Sequence, residues 1–109
     1  MKLIIAFVQG DDAGPVLAKL HRAHISSTAL ESRGGFLRRS NQTLFITVED
    51  GQVDRVLDIL RETCRPRAER VDTTFAGGAV ENLGLPATTE VPVGGATVLV
   101  LDVSTVVKI

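Results

Sequence analysis

The sequence predicts a ferredoxin-like α+β fold, in which one antiparallel sheet carries two helices on a single face. Three observations point there. An apolar run opens the chain (LIIAFV, 3–8), an alternating segment lies near its middle (TLFITV, 43–48), and a second apolar segment closes it (ATVLVLDV, 96–103). Two stretches with helical spacing separate them, which gives the order strand, helix, strand, strand, helix, strand.

Leu3 to Val8 is apolar at every position, as expected of a central strand covered on both faces. Gly10, Asp11 and Asp12 then break the strand and are expected to cap a helix. Its apolar positions are Ala13, Val16, Leu17 and Leu20, and it is expected to end near His24. Ser27 to Glu31 reads as a weak second strand. In the third, Leu44, Ile46 and Val48 share one face, and Thr43, Phe45 and Thr47 share the other. Asp50 is the expected N-cap of a second helix whose stripe is Val53, Val56, Leu57, Leu60 and Cys64, and Pro66 ends it. Residues 65 to 90 lack a strong period and read as a second long excursion, with a short strand around Val71 to Phe75. Gly94 and Gly95 lead into the last strand.

With 109 residues the chain suffices for one domain, 1–109, and the formal net charge of -1 gives no whole-chain bias towards DNA, RNA or a membrane. Any anion site must be local. A single cysteine excludes an internal disulfide and fits a reducing cytoplasm, and the short N-terminal apolar run followed by acids reads as strand, not signal or span. Two helices cover only one face of a sheet. The first and last strands are apolar on both, so the second face is expected to meet another subunit, unless the long excursion folds back over it.

Residues suited to catalysis are sparse. His21 and His24 stand i, i+3 without a third ligand at a recognisable spacing, so no metal or other cofactor is expected. Asp11 and Asp12 read as capping residues, and Cys64 as a packed one. No Walker, kinase or hydrolase motif occurs, and the chain is expected not to be an enzyme.

The segment SRGGFLRRSNQ, 32–42, differs from all of this. Gly34 and Gly35 can turn amide hydrogens towards an anion, and Arg33, Arg38 and Arg39 offer forked charged donors. Phe36 offers a stacking face, and Asn41 or Gln42 can pair donor and acceptor with a purine edge. These are the parts a nucleotide needs. They also suit a surface turn or a partner-binding loop, and composition does not choose between the two.

Beyond periodicity, the chain resembles the PII-like cyclic di-AMP receptors, small signal-transduction proteins related to the nitrogen regulatory PII proteins. The likeness is carried by MKLIIAFVQ (1–9), GGFL (34–37), Arg38, Asn41, Thr43, VD (53–54), Cys64 and VPVGGATVLVLDV (91–103). It implies a homotrimer with sheets facing inward, a long loop after the second strand and another after the second helix, and ligands in clefts between neighbours. Ligand roles would fall on Thr28, Gly35, Phe36, Leu37 and Asn41, with a contribution from the last strand of a neighbouring chain. Ser26, Arg33, Arg38, Gln42 and Thr47 are further candidates. Ser26 stands where the family usually has an arginine, Ser40 and Thr47 where it has glycines, and Gln42 where it has a threonine. The resemblance implies a receptor that changes loop conformation to regulate a protein partner. The alternative is a trimer whose cleft takes another adenine nucleotide or that serves only as a protein-interaction module. A PII-type sensor of ATP would want basic contacts in the long loops, and the only lysines, Lys2, Lys19 and Lys108, lie outside them.

Overall fold

The computed structural model describes residues 1–33, 40–72 and 88–109. The elements run β1 (Lys2–Gln9), α1 (Gly10–Arg22), β2 (Ser27–Arg33), β3 (Ser40–Val48), a 3-10 turn (Asp50–Gln52), α2 (Val53–Thr63), β4 (Arg67–Asp72), β5 (Thr88–Val93) and β6 (Ala96–Asp102). Four strands form one antiparallel sheet in the order β2-β3-β1-β6. This is the ferredoxin-like arrangement expected from the element order. Among the described residues β4 and β5 pair only with each other, as a two-stranded arm.

Strand parity builds the core. Ile4, Ala6 and Val8 of β1 and Leu44, Ile46 and Val48 of β3 turn to the helix side. There they bury against Val16 and Leu20 of α1 and Val56 and Leu60 of α2. Cys64 closes the α2 end of the same core. Burial, and to a lesser degree the nearby Asp12, pushes its thiol up to about 11, so it is a packed side chain with little thiolate near neutrality.

Three local expectations are corrected. Asp12 does not cap α1, because Gln9 is the N-cap residue and makes no side-chain cap bond. Asp12 is instead buried and takes two hydrogen bonds from Arg67, at 3.0 and 3.4 Å. Asp50 lies in the 3-10 turn ahead of α2, and its carboxylate meets the amino group of Met1 at 3.0 Å. The structure also shows strand from Arg67 and again from Thr88, where the sequence offered only a short segment near Val71 to Phe75; residues 73–75 lie outside the described residues.

Helix α1 stops at Arg22, short of His24, for a visible reason. The amide of Ile25 donates to the Leu20 carbonyl at 2.9 Å and that of His24 to the His21 carbonyl at 3.0 Å. Ile25 and Leu20 are both buried. This is a Schellman closure with His24, at φ 58, in the left-handed position that glycine usually fills. His24→Gly is therefore expected to stabilise the fold by about 0.5–1 kcal/mol, read from denaturant midpoints at fixed protein concentration. An unchanged or lower midpoint would show that the His24 side chain makes up for its backbone.

Candidate functional site

The face of the sheet away from the helices is ordered in rows by the strand register. Asn41 and Gln9 form one row across β3 and β1; Leu30, Thr43, Phe7 and Thr97 the next; Thr28, Phe45, Ile5 and Leu99 the third. Thr47, Leu3 and Leu101 form the last. Polar groups thus gather at the end where β2 leads into the 34–39 segment, and an apolar field fills the middle. That field is open to solvent: Phe7 is 44%, Leu30 54%, Leu99 47% and Leu101 43% exposed. The described parts of the long excursion, β4 and β5, pair with each other and leave it uncovered.

The register sorts the sequence candidates. Thr28, Asn41 and Thr47 stand on this open face. Thr28 and Asn41 are two rows apart, roughly 13 Å along the strands. Gln42 stands on the opposite face, level with Val8 and Glu31. Ser26 is exposed just before β2, in a shallow groove beside His21 and His24. Arg33 is the last residue of β2, and Gly35, Phe36, Leu37 and Arg38 lie outside the described residues. Among the described residues no group of three or more His, Cys, Asp or Glu is placed to hold a metal ion. None of the helices described there is long and apolar enough to cross a membrane.

At the polar end of the open face lies a cleft of about 270 Å³, lined by Phe7, Gln9, Asn41, Gly94, Gly95 and Thr97. Its wall is the junction where the β4–β5 arm meets the main sheet. Both glycines there have positive φ, 82° at Gly94 and 74° at Gly95. The Gly95 amide donates to the Cys64 carbonyl at 2.6 Å, and the Gly94 amide to Oε1 of Gln9 at 2.9 Å. Across the junction, Arg67 of β4 holds Asp12 and also donates to the Arg65 carbonyl at 3.1 Å. Sequence reasoning placed Asn41 at such a site but read Gly94 and Gly95 only as the lead into the last strand and Asp12 as a capping residue, and it passed over Gln9 and Arg67. Gln9 carried one local signal, a polar residue directly after the apolar run Leu3 to Val8.

Among solved structures, the chain is similar to a functionally unknown protein from Pediococcus pentosaceus ATCC 25745. The two share 33% identity over 99% of this chain and 96% of that one, with a TM-score of 0.75. The sequence model of one family, described as cyclic-di-AMP receptor, matches residues 1–109. That match spans the glycine pairs at 34–35 and 94–95, the strand pattern and the cleft residues together, and the chain accordingly belongs to the cyclic-di-AMP receptors, PII-like non-catalytic signal proteins.

Proposed function

We propose that the protein is a one-domain cytoplasmic receptor that binds cyclic di-AMP in clefts between the subunits of a homotrimer, and that occupancy changes its loops to regulate a protein partner. One observation carries this reading: the sheet face that bears Thr28, Asn41 and Thr47 also exposes Phe7, Leu30, Leu99 and Leu101. So large an apolar field calls for a neighbour, and polar groups at its margin then lie at the seam. In the bound state the Thr28 hydroxyl and the backbone amides near Gly35 to Leu37 hold phosphate or adenine. Phe36 stacks on a base, and Asn41 makes polar contacts to the nucleotide.

Calorimetric titration with cyclic di-AMP, against ATP, ADP, AMP and cyclic di-GMP, tests the reading. We expect one cyclic di-AMP per chain and loss of affinity on Phe36→Ala and Asn41→Ala. Ser26 supplies no charge where the family usually has an arginine. Ser26→Arg is therefore expected to tighten binding about tenfold to a hundredfold, the worth of one charge-assisted hydrogen bond to a phosphate. Absence of heat with cyclic di-AMP would move the function to another nucleotide or to partner binding alone.

A further inference from the structure

Among the described residues, ties between the base of the β4–β5 arm and the main body include Arg67 to Asp12, the Gly95 amide to the Cys64 carbonyl, and the Gly94 amide to Gln9. Of these three, only the last uses a side chain that also lines the cleft with Asn41. The register sets Gln9 directly opposite Asn41, on the same face and in the same row.

The chemistry of the Gln9 carboxamide fixes its orientation. A backbone N–H can only donate, so the atom 2.9 Å from the Gly94 nitrogen must be the amide oxygen. The other end of the group is an NH₂ with two donors. A donor pair in a cleft suits acceptors such as phosphate oxygens or the ring nitrogens of a purine. Gln9 is thus one planar group with one end on the arm's hinge and the other suited to an occupant of the cleft. A hydrogen bond given by the NH₂ polarises the amide, raising the electron density on its oxygen and strengthening it as acceptor, so filling the cleft tightens the tie to Gly94.

We infer that Gln9 is the residue that couples nucleotide occupancy of this cleft to the position of the β4–β5 arm. The inference rests on the receptor reading above, and it names where that reading's conformational signal starts. Gln9 acts as a positioning residue between ligand and hinge, which lie on opposite ends of its amide.

The test is amide hydrogen exchange of the full chain with and without cyclic di-AMP, alongside calorimetry, for the wild type, Gln9→Glu and Gln9→Met. In the wild type, cyclic di-AMP is expected to slow exchange across residues 88–96 about tenfold or more. Gln9→Glu keeps an acceptor for Gly94 but has no donor and brings a negative charge to the cleft. Its arm base should be as protected as the wild type without nucleotide, while its affinity falls about tenfold or more. Gln9→Met removes both ends, and the arm should exchange quickly whether or not nucleotide is bound. Full ligand-induced slowing in Gln9→Met, or wild-type binding without any slowing at 88–96, overturns the coupling and leaves the receptor standing. Undiminished affinity in Gln9→Glu overturns the donor role. A wild type that binds no cyclic di-AMP overturns the receptor reading, and the coupling with it.

Discussion

Replacing Gly94 with alanine is expected to destabilise the protein by about 3 kcal/mol, whereas the same change at Gly95 should cost only about 1 kcal/mol. Both residues sit at positive φ, 82° and 74°, so each substitution meets the left-handed penalty of roughly 1 kcal/mol. They differ in what surrounds the new methyl group. At Gly94 it would lie 2.1 Å from the Arg65 carbonyl oxygen and 2.8 Å from an Arg67 guanidinium nitrogen, while at Gly95 its nearest neighbour is Pro66 Cγ at 3.9 Å. The arginine head can move, but the carbonyl belongs to the backbone. Clearing it must shift the junction between α2 and the arm, a distortion that adds about 1–3 kcal/mol. The displaced segment carries the Gly94 amide that Gln9 accepts, so the variant should also lose protection at residues 88–96. Chemical denaturation of both variants at one protein concentration decides the matter. Equal midpoints would mean that the glycine pair is required for backbone freedom alone and not for the close approach of Arg65.

How much of this was legible in the sequence depends on how local each cause is. β1, β3 and α2 bury a continuous stripe against the core, so their periods are written in the residues themselves. The same parity showed which side of β3 carries Thr43, Phe45 and Thr47, and hence that a second face existed. The arm was far less legible. Among the described residues β4 and β5 pair only with each other, and Arg67 to Arg70 of β4 are all exposed, so RAERVD and TTEVPV need no apolar alternation, and Pro92 is tolerated in a strand with no other partner among those residues. The role of Asp12 was misread because its partner, Arg67, lies 55 residues away and the helix start offered a sufficient local account. Gln9 is a similar case, since its partner Gly94 is 85 residues distant. Local pattern gave the scaffold, and the cleft depends on contacts between segments that no window of sequence holds together.

Leu99→Asp is expected to leave the protomer folded, to yield monomers, and to abolish cyclic di-AMP binding. Leu99 lies in the middle row of the open face beside Ile5 and is 47% exposed in the single chain. A carboxylate there stays in water while the chain is alone, so secondary structure should be retained and protomer stability should change by no more than about 0.5 kcal/mol. Assembly reverses the balance. Packing this face against a neighbour would strip the carboxylate of water with no cation beside it, a cost of several kcal/mol that symmetry repeats in every subunit. The next residue on the strand supplies the control. Val100 is 45% exposed but pairs with Ile4, on the helix side of the same sheet. Val100→Asp should therefore change exposure and charge equally while leaving assembly and binding in place. Light scattering gives the oligomeric state, circular dichroism the fold, and calorimetry the nucleotide. If Leu99→Asp remained assembled and bound cyclic di-AMP as tightly as the wild type, the nucleotide site would not lie at a seam formed by this face. If it became monomeric yet kept full affinity, Thr28, Asn41 and their loop would form a complete site within one chain.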